Sequence, residues 1–355
     1  FVIIAAASYL LLSNVTAFIS YVFQAINETK VASCSTIVNR GFYLASLVTC
    51  ILLRVEDFRI YLLFYMLAQA FSLTYCLWKG RFIFETKAMA FKLAIKETFV
   101  SMKVGIVLTF ANISSMLIMG MARLVIDNVW GLSAFGEVSL SLSIVNFAIS
   151  FITQASMVLF PALRTVDQNS ERAYYGIIRD GLAVLLPVAV LFYAPLRWLV
   201  GVWLPQYYES LVYLAFLFPV CLFEVQSYLV VGTFLKVRNE PKVLLCVNVA
   251  ALFITLLAQG GALFLFSTPM AAIVASFCGV VSRFTIGTIY LDGVYRSRNF
   301  KAMCCMYAEA LIFMSCAYFM PIGKCFLACL VMLIFHFAVL LPETRALMGK
   351  IGALK

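Results

Sequence analysis

Six ionisable residues stand inside long uncharged stretches of this chain: Arg40, Arg197, Glu224, Arg283, Glu309 and His336. A charge held in hydrocarbon costs at least about 2.5–3.5 kcal/mol, so by default it faces a cavity, a partner or the interface. Glu224 lies in the middle of the stretch 210–235, where a carboxylate cannot snorkel. Its expected states are protonated, or paired with a cation or an Arg. That makes it the best candidate for coupling to protons or sodium ions, against the plainer role of a protonated hydrogen-bonder. Arg40 and Arg283 are deep enough to line a cavity, or their stems snorkel to the headgroups. Glu309 lies close to a span end and reads as interfacial. His336, the single histidine, reads as a neutral packing residue, with a proton relay at its near-neutral pKa as the alternative.

A second pattern is uncharged. Ser139, Ser143, Asn146, Ser150 and Thr153 recur at four- and three-residue steps along one helix face, with Gln154 beside them, and Thr109, Asn112 and Ser115 form a shorter version. Small polar residues also serve helix packing in membranes, but five in register before Pro161 point to a wet lumen. Gln69, Gln226, Asn248 and Gln259 add amide groups suited to hydroxyl-rich ligands.

These residues need spanning helices to hold them. The chain has 355 residues, 64% hydrophobic and 12% charged, against roughly 45–50% and about 25% in a soluble domain. Its mean hydropathy is +1.03. Val243 to Ser282 runs forty residues without a charge, and a spanning helix needs about 20 apolar residues. The reading is an all-α, polytopic membrane protein. Charge-poor windows predict eleven spans: about 1–24, 33–53, 60–78, 104–122, 138–163, 181–204, 210–235, 243–266, 270–291, 302–320 and 325–341. Strict alternation over about 10 residues, as barrel strands need, is missing.

An alternating path divides the connections into two sets. One carries 19 of the 26 Lys+Arg and the other only Arg54, Arg59, Arg123 and Lys324. The positive-inside rule then predicts a cytoplasmic C-terminus and an outer Phe1. The net charge of +10 thus reflects topogenesis and anionic headgroups rather than nucleic acid. The longest basic connection, Lys79–Lys103, predicts a surface amphipathic helix over Ala88–Ile95. It divides the chain into a three-helix bundle (1–80), a basic cytoplasmic linker (81–103), a six-helix bundle (104–291) and two further helices with a tail (292–355).

Eleven scattered cysteines with no CxxC pair, and one histidine, predict reduced core thiols and no metal site. No Gly-rich phosphate loop, HExxH or credible Ser/His/Asp set is present, so no catalytic residue or cofactor is expected. The outer connections are too short and too poor in charge to hold a diphosphate in the manner of a membrane-embedded transferase, ligase or polymerase. Phe1 stands inside 27 uncharged residues with no basic leader, which does not fit a signal peptide; the reading expects the true N-terminus to lie further upstream.

The stretch GIVLTFANISSMLIMGMARLVIDNVWGLSAFGEVSLSLSIVNFAISFITQASMVLFPAL resembles the start of the second bundle in polysaccharide exporters and O-antigen flippases of the multidrug/oligosaccharidyl-lipid/polysaccharide superfamily. There an Arg and an Ile precede a short outer loop, a Gly-x(4)-Gly follows, and a small polar helix ends in Pro before a basic loop. Here these match Arg123, Ile126, Gly131, Gly136, Pro161 and Arg164, and Phe234–Lys242 resembles a later inner loop. The resemblance implies a two-bundle, MATE-like flippase fold with eleven helices visible of fourteen, working by alternating access in the cytoplasmic (inner) membrane. It implies a lipid-linked oligosaccharide as substrate, the diphosphate in a cationic cavity and the polyprenyl tail in the bilayer, with polysaccharide polymerase and chain-length proteins as partners. On that template Arg40 and Arg283 contact the diphosphate or an acidic sugar, Asn112, Asn146 and Gln154 contact hydroxyls, and Glu224 couples to H+ or Na+. Arg123 and Asp127 form an outer gate or turn-stabilising pair. The rival readings are a multidrug/cation antiporter of the same fold and a non-transporting scaffold of a polysaccharide-assembly complex.

Overall fold

The computed structural model describes residues 2–26, 28–84, 91–207, 210–345 and 349. Among them the chain is helical throughout, with no strand. It divides into two compact units, Phe1–Glu97 and Thr98–Lys355. Ten helices are long and apolar enough to cross a membrane.

Unit 1 contains α1 (Val2–Ala25), α2 (Thr29–Leu52), α3 (Phe58–Lys79) and the short α4 (Arg81–Phe84). Its apolar core is small, built on Ile19, Phe23, Ala32 and Cys76. Polar contacts do much of the joining. Ser35 Oγ lies 2.7 Å from Ser72 Oγ, Asn39 Nδ2 donates to Gln69 Oε1 at 2.7 Å, and Tyr9 donates to Tyr65 at 2.8 Å with their rings stacked. In hydrocarbon, where apolar surface gives helices no reason to associate, packing and such side-chain bonds hold them together. The predicted amphipathic helix begins at Ala88–Ala90, outside the described residues; Phe91–Ile95 belongs to the first turns of α5 (Phe91–Arg164).

The fourth and fifth spans were expected to be separated by a loop, and the structure corrects this. Helix α5 is a 74-residue element broken only at Gly131, where φ is 79° and ψ −175°. A straight helix of that length would measure about 110 Å, far beyond a hydrocarbon core of about 30 Å. Its contacts show that it reverses. Before Gly131, Asn248 donates to the Ala111 carbonyl and Arg283 bonds Ser115; after it, Ser141 Oγ donates to the Ser210 carbonyl and Ser156 Oγ lies 2.8 Å from Thr233 Oγ1. The first arm therefore runs antiparallel to Pro269–Tyr295 and the second runs parallel to Ser210–Val237, two segments that are themselves parallel. One glycine in the left-handed region, costly for any residue with a Cβ, replaces the loop. Counting both arms, the described residues give the eleven expected crossings.

The rest of unit 2 comprises α6 (Gln168–Leu185), a 3₁₀ segment (Leu186–Phe192), α7 (Tyr193–Trp203), α8 (Ser210–Gln226), a π-helical turn (Ser227–Gly232), α9 (Thr233–Val237), α10 (Pro241–Leu265), α11 (Pro269–Tyr295), α12 (Phe300–Phe319) and α13 (Ile322–Val339). Its main core joins both arms of α5 to α8, α11, α12 and α13 through residues such as Ile126, Leu142, Phe223 and Phe313. Helix α11 runs close to the π turn, where a Cβ on Gly287 would overlap the Val231 side chain.

The basic connections of unit 2 gather at one end. Arg179 bonds Asp292 and the Ser297 carbonyl, Tyr295 bonds Glu171, and the Arg238 guanidinium sits 5.4 Å from the Tyr295 ring centroid. Burial works against the Arg238 charge, but Tyr295 and the Glu240 carboxylate outweigh it and hold the guanidinium above its ordinary pKa. The expected loop 164–180 is therefore mostly helix, begun by the Asp167 cap on Ser170. Hydropathy reads its charges as solvent-facing, whereas Arg179 is 5% exposed and neutralised by Asp180 and Asp292.

Candidate functional site: a cationic polar cavity in unit 2

Glu224 and Arg283 form a buried ion pair between α8 and α11, each 3% exposed. The same guanidinium bonds Ser115 on the first arm of α5 and lies over the Tyr228 ring at 5.3 Å, an attractive arrangement for a cation. Arg283 thus ties three elements together and does not snorkel. Its Nε keeps no partner among the described residues.

A polar cavity opens beside this pair, lined by Asn112, Ser115, Ser227, Tyr228, Lys236 and Arg283 among others. Ser227 Oγ is also buried without a partner. Two cations line the space against the single Glu224 carboxylate, and two buried donors, Arg283 Nε and Ser227 Oγ, have nothing to donate to. Because leaving buried donors unpaired is unfavourable, such a set favours an anionic, oxygen-rich group. The π turn supplies Ser227 and Tyr228, and Thr233 Oγ1 donates to the Tyr228 carbonyl across it at 3.0 Å. Turns of this type concentrate at functional sites. Lys236 and the first turns of α10 place the cavity in the half of unit 2 nearer the basic connections.

Of the residues singled out by sequence, the structure brings together Asn112, Ser115, Glu224, Asn248 and Arg283. Glu224 and Arg283, expected to serve separate tasks, neutralise each other, so neither is a free ion. Arg40 lies in unit 1, exposed, with no hydrogen bond or ion pair among the described residues. Asn146 and Gln154 are exposed and do not line the cavity. They share the outward face of the second α5 arm with Ser143 and Ser150, whose hydroxyls bond back to the Ser139 and Phe147 carbonyls of their own helix. The opposite face, with Val138, Leu142, Val145 and Ile149, is the packed one; within unit 2 the stripe is not a packing seam. Arg123 and Asp127 form no ion pair, and Asp127 is exposed.

Sequence reasoning passed over Ser227, Tyr228 and Lys236. Lys236 had been assigned to a basic connection, and nothing in apolar periodicity marks a π turn. Glu309 and His336 also depart from expectation. Glu309 is 6% exposed rather than interfacial, and it bonds His336, which is 1% exposed and so more than a packing residue. All eleven cysteines are unpaired, and only Cys50, Cys76, Cys325 and Cys329 are buried.

Helices long and apolar enough to cross a membrane, packed around a cationic polar cavity, define a multi-pass membrane protein. Residues 1–167 match the family described as polysaccharide biosynthesis protein, in agreement with the resemblance to polysaccharide exporters and flippases. The match takes in unit 1 and all of α5, including Asn112 and Ser115, and stops before Glu224 and Arg283. No curated protein and no solved structure matches the chain.

Proposed function

We propose that the protein is a secondary transporter that flips a polyprenyl-diphosphate-linked oligosaccharide from the cytoplasmic to the outer leaflet by alternating access between two bundles of a MATE-like fold. The observation that carries this reading is the cavity at Arg283, with a surplus cation and two unpartnered donors at membrane depth, in a chain whose first 167 residues match polysaccharide biosynthesis proteins. A diphosphate is multiply charged and rich in acceptors. It would take Lys236, Ser227 Oγ and Arg283 Nε, and compete with Glu224 for the guanidinium. Sugar hydroxyls suit the exposed amides Asn112, Asn146 and Gln154, while the polyprenyl chain stays in lipid. The cavity lies nearer the basic, cytoplasmic end, where such a substrate is assembled.

The test is to express the full-length protein in a strain lacking its oligosaccharide flippase and to measure surface glycan. Wild type restores glycan, and Lys236→Gln with Ser227→Ala loses most of it at equal membrane abundance. Restoration that survives both substitutions removes the cavity from the mechanism. No restoration, with resistance gained toward cationic drugs, replaces the reading with efflux. Neither gain leaves the scaffold reading.

A further inference from the structure

Glu309 is a second acid buried deep among the helices of unit 2, and it faces the only histidine of the chain. His336 Nδ1 bonds Glu309 Oε1, and Nε2 lies 3.2 Å from the Val184 carbonyl. Val184 stands near the end of α6, two residues before the 3₁₀ segment Leu186–Phe192. His336 Nε2–H donates to its carbonyl and so ties α13 to this junction. Glu309 Oε2, meanwhile, is buried with no partner among the described residues.

With Nε2–H committed to Val184, a hydrogen bond between Nδ1 and Glu309 requires one further proton, on the imidazole or on the carboxyl. Remove it, and two acceptors face each other in a buried site. The imidazole's single remaining N–H must then serve either the carboxylate or the Val184 carbonyl. The carboxylate is the stronger acceptor, so the hydrogen moves to Nδ1 and the bond from His336 to Val184 is lost. Proton occupancy is therefore linked to the tie between α13 and the junction at which α6 passes into the 3₁₀ segment leading to α7.

We infer that Glu309 and His336 form a proton-binding site, loaded and unloaded once per transport cycle, with the 3₁₀ segment Leu186–Phe192 as the element that reads its state. The use of this site as a driving site rests on the transport reading above; the binding of the proton does not. One proton enters from water and one leaves, with no other change in bonding. The Glu224 carboxylate is unsuited to this task because Arg283 cannot give up its charge.

Of the other ionisable groups on the packed elements, Cys305 stands one turn from Glu309 on α12 and interacts with it electrostatically, whereas the rest are engaged elsewhere. Lys301 pairs with Glu343 at 3.2 Å beyond the end of α13, and Arg179 of α6 is held by Asp180 and Asp292. On α7, Arg197 donates to the Tyr193 hydroxyl and the Ala317 carbonyl, and Cys325 and Cys329 lie near it on α13; on α8, Glu224 is taken by Arg283.

Because His336 is the only histidine, selective 15N-histidine labelling of the whole protein, purified on a tag without histidine, yields one imidazole to follow by NMR. Over a pH series the signal is expected to pass from a form with both nitrogens protonated, or with Nε2–H beside a protonated acid, to one with the hydrogen on Nδ1. Glu309→Gln should hold it as the Nε2–H tautomer throughout. A wild-type signal that keeps one tautomer over the whole range overturns the proposal, and needs no variant to do so. Titration without glycan restoration in the flippase-deficient strain sinks the transport reading alone. Restoration that Glu309→Gln leaves at the wild-type level sinks the driving role of the site and leaves the transport reading standing.

Discussion

Two buried carboxylates of unit 2 face different bases, and that difference separates a fixed element from a switchable one. Glu224 is matched to Arg283 between α8 and α11; Glu309 is matched to His336 between α12 and α13. An arginine keeps its charge at any accessible pH, so the first pair can change only by exchanging partners. A histidine can lose its charge, so the second pair can change by exchanging a proton. The first suits recognition of an incoming anion and the second suits gain and loss of a driving ion.

Arginine loss should test this contrast most strongly. Arg283→Leu leaves Glu224 buried and uncompensated and should cost about 3–5 kcal/mol, whereas Glu224→Met with Arg283→Met should be near neutral or stabilising while abolishing glycan export. Thermal unfolding of the purified protein in detergent reads both. A double variant as unstable as the single one would mean that the pair holds the bundle together, not that it waits for a ligand. His336→Ala should cost less, about 1–3 kcal/mol, because it removes a hydrogen-bonding partner rather than one half of a permanent ion pair. Equal losses at His336 and Arg283 in the same melting assay would erase the distinction.

Two further predictions bear on the frame that holds the pairs apart. Gly131→Ala forces a Cβ into the left-handed region and should cost about 1–2 kcal/mol, readable as a lower melting temperature with the cavity chemistry unchanged. At the bottom of the scale, Ser143→Ala and Ser150→Ala should each stay within about 0.5 kcal/mol of wild type, since their hydroxyls bond only their own helix. A larger destabilisation would show that the stripe is a packing seam after all.

How far these features were legible in the sequence differs with the physics behind each. Span number followed from hydropathy, because apolar length is a local property. The Gly131 reversal did not, because a glycine that breaks a helix and one that sits quietly inside it look alike until the arms are seen to fold back. For Glu224 depth alone excluded snorkelling and required a proton or a cation, but the partner lies 59 residues away and periodicity carries no information about pairing at that range. Glu309 was misplaced because its depth was judged from its own helix, while its burial comes from α13. The amide stripe was readable as a face, and only the packing of Val138 and Leu142 on the other side showed which way it points.

The single-residue reversal at Gly131 also bears on how the protein is made. With no stretch of loop to spend time in water, the two arms of α5 cannot enter the bilayer as independent stop-and-start segments separated by a translocated tether. So tight a turn favours joint entry of the arms as an antiparallel hairpin, ready before α8 or α11 has been synthesised to receive the later helices.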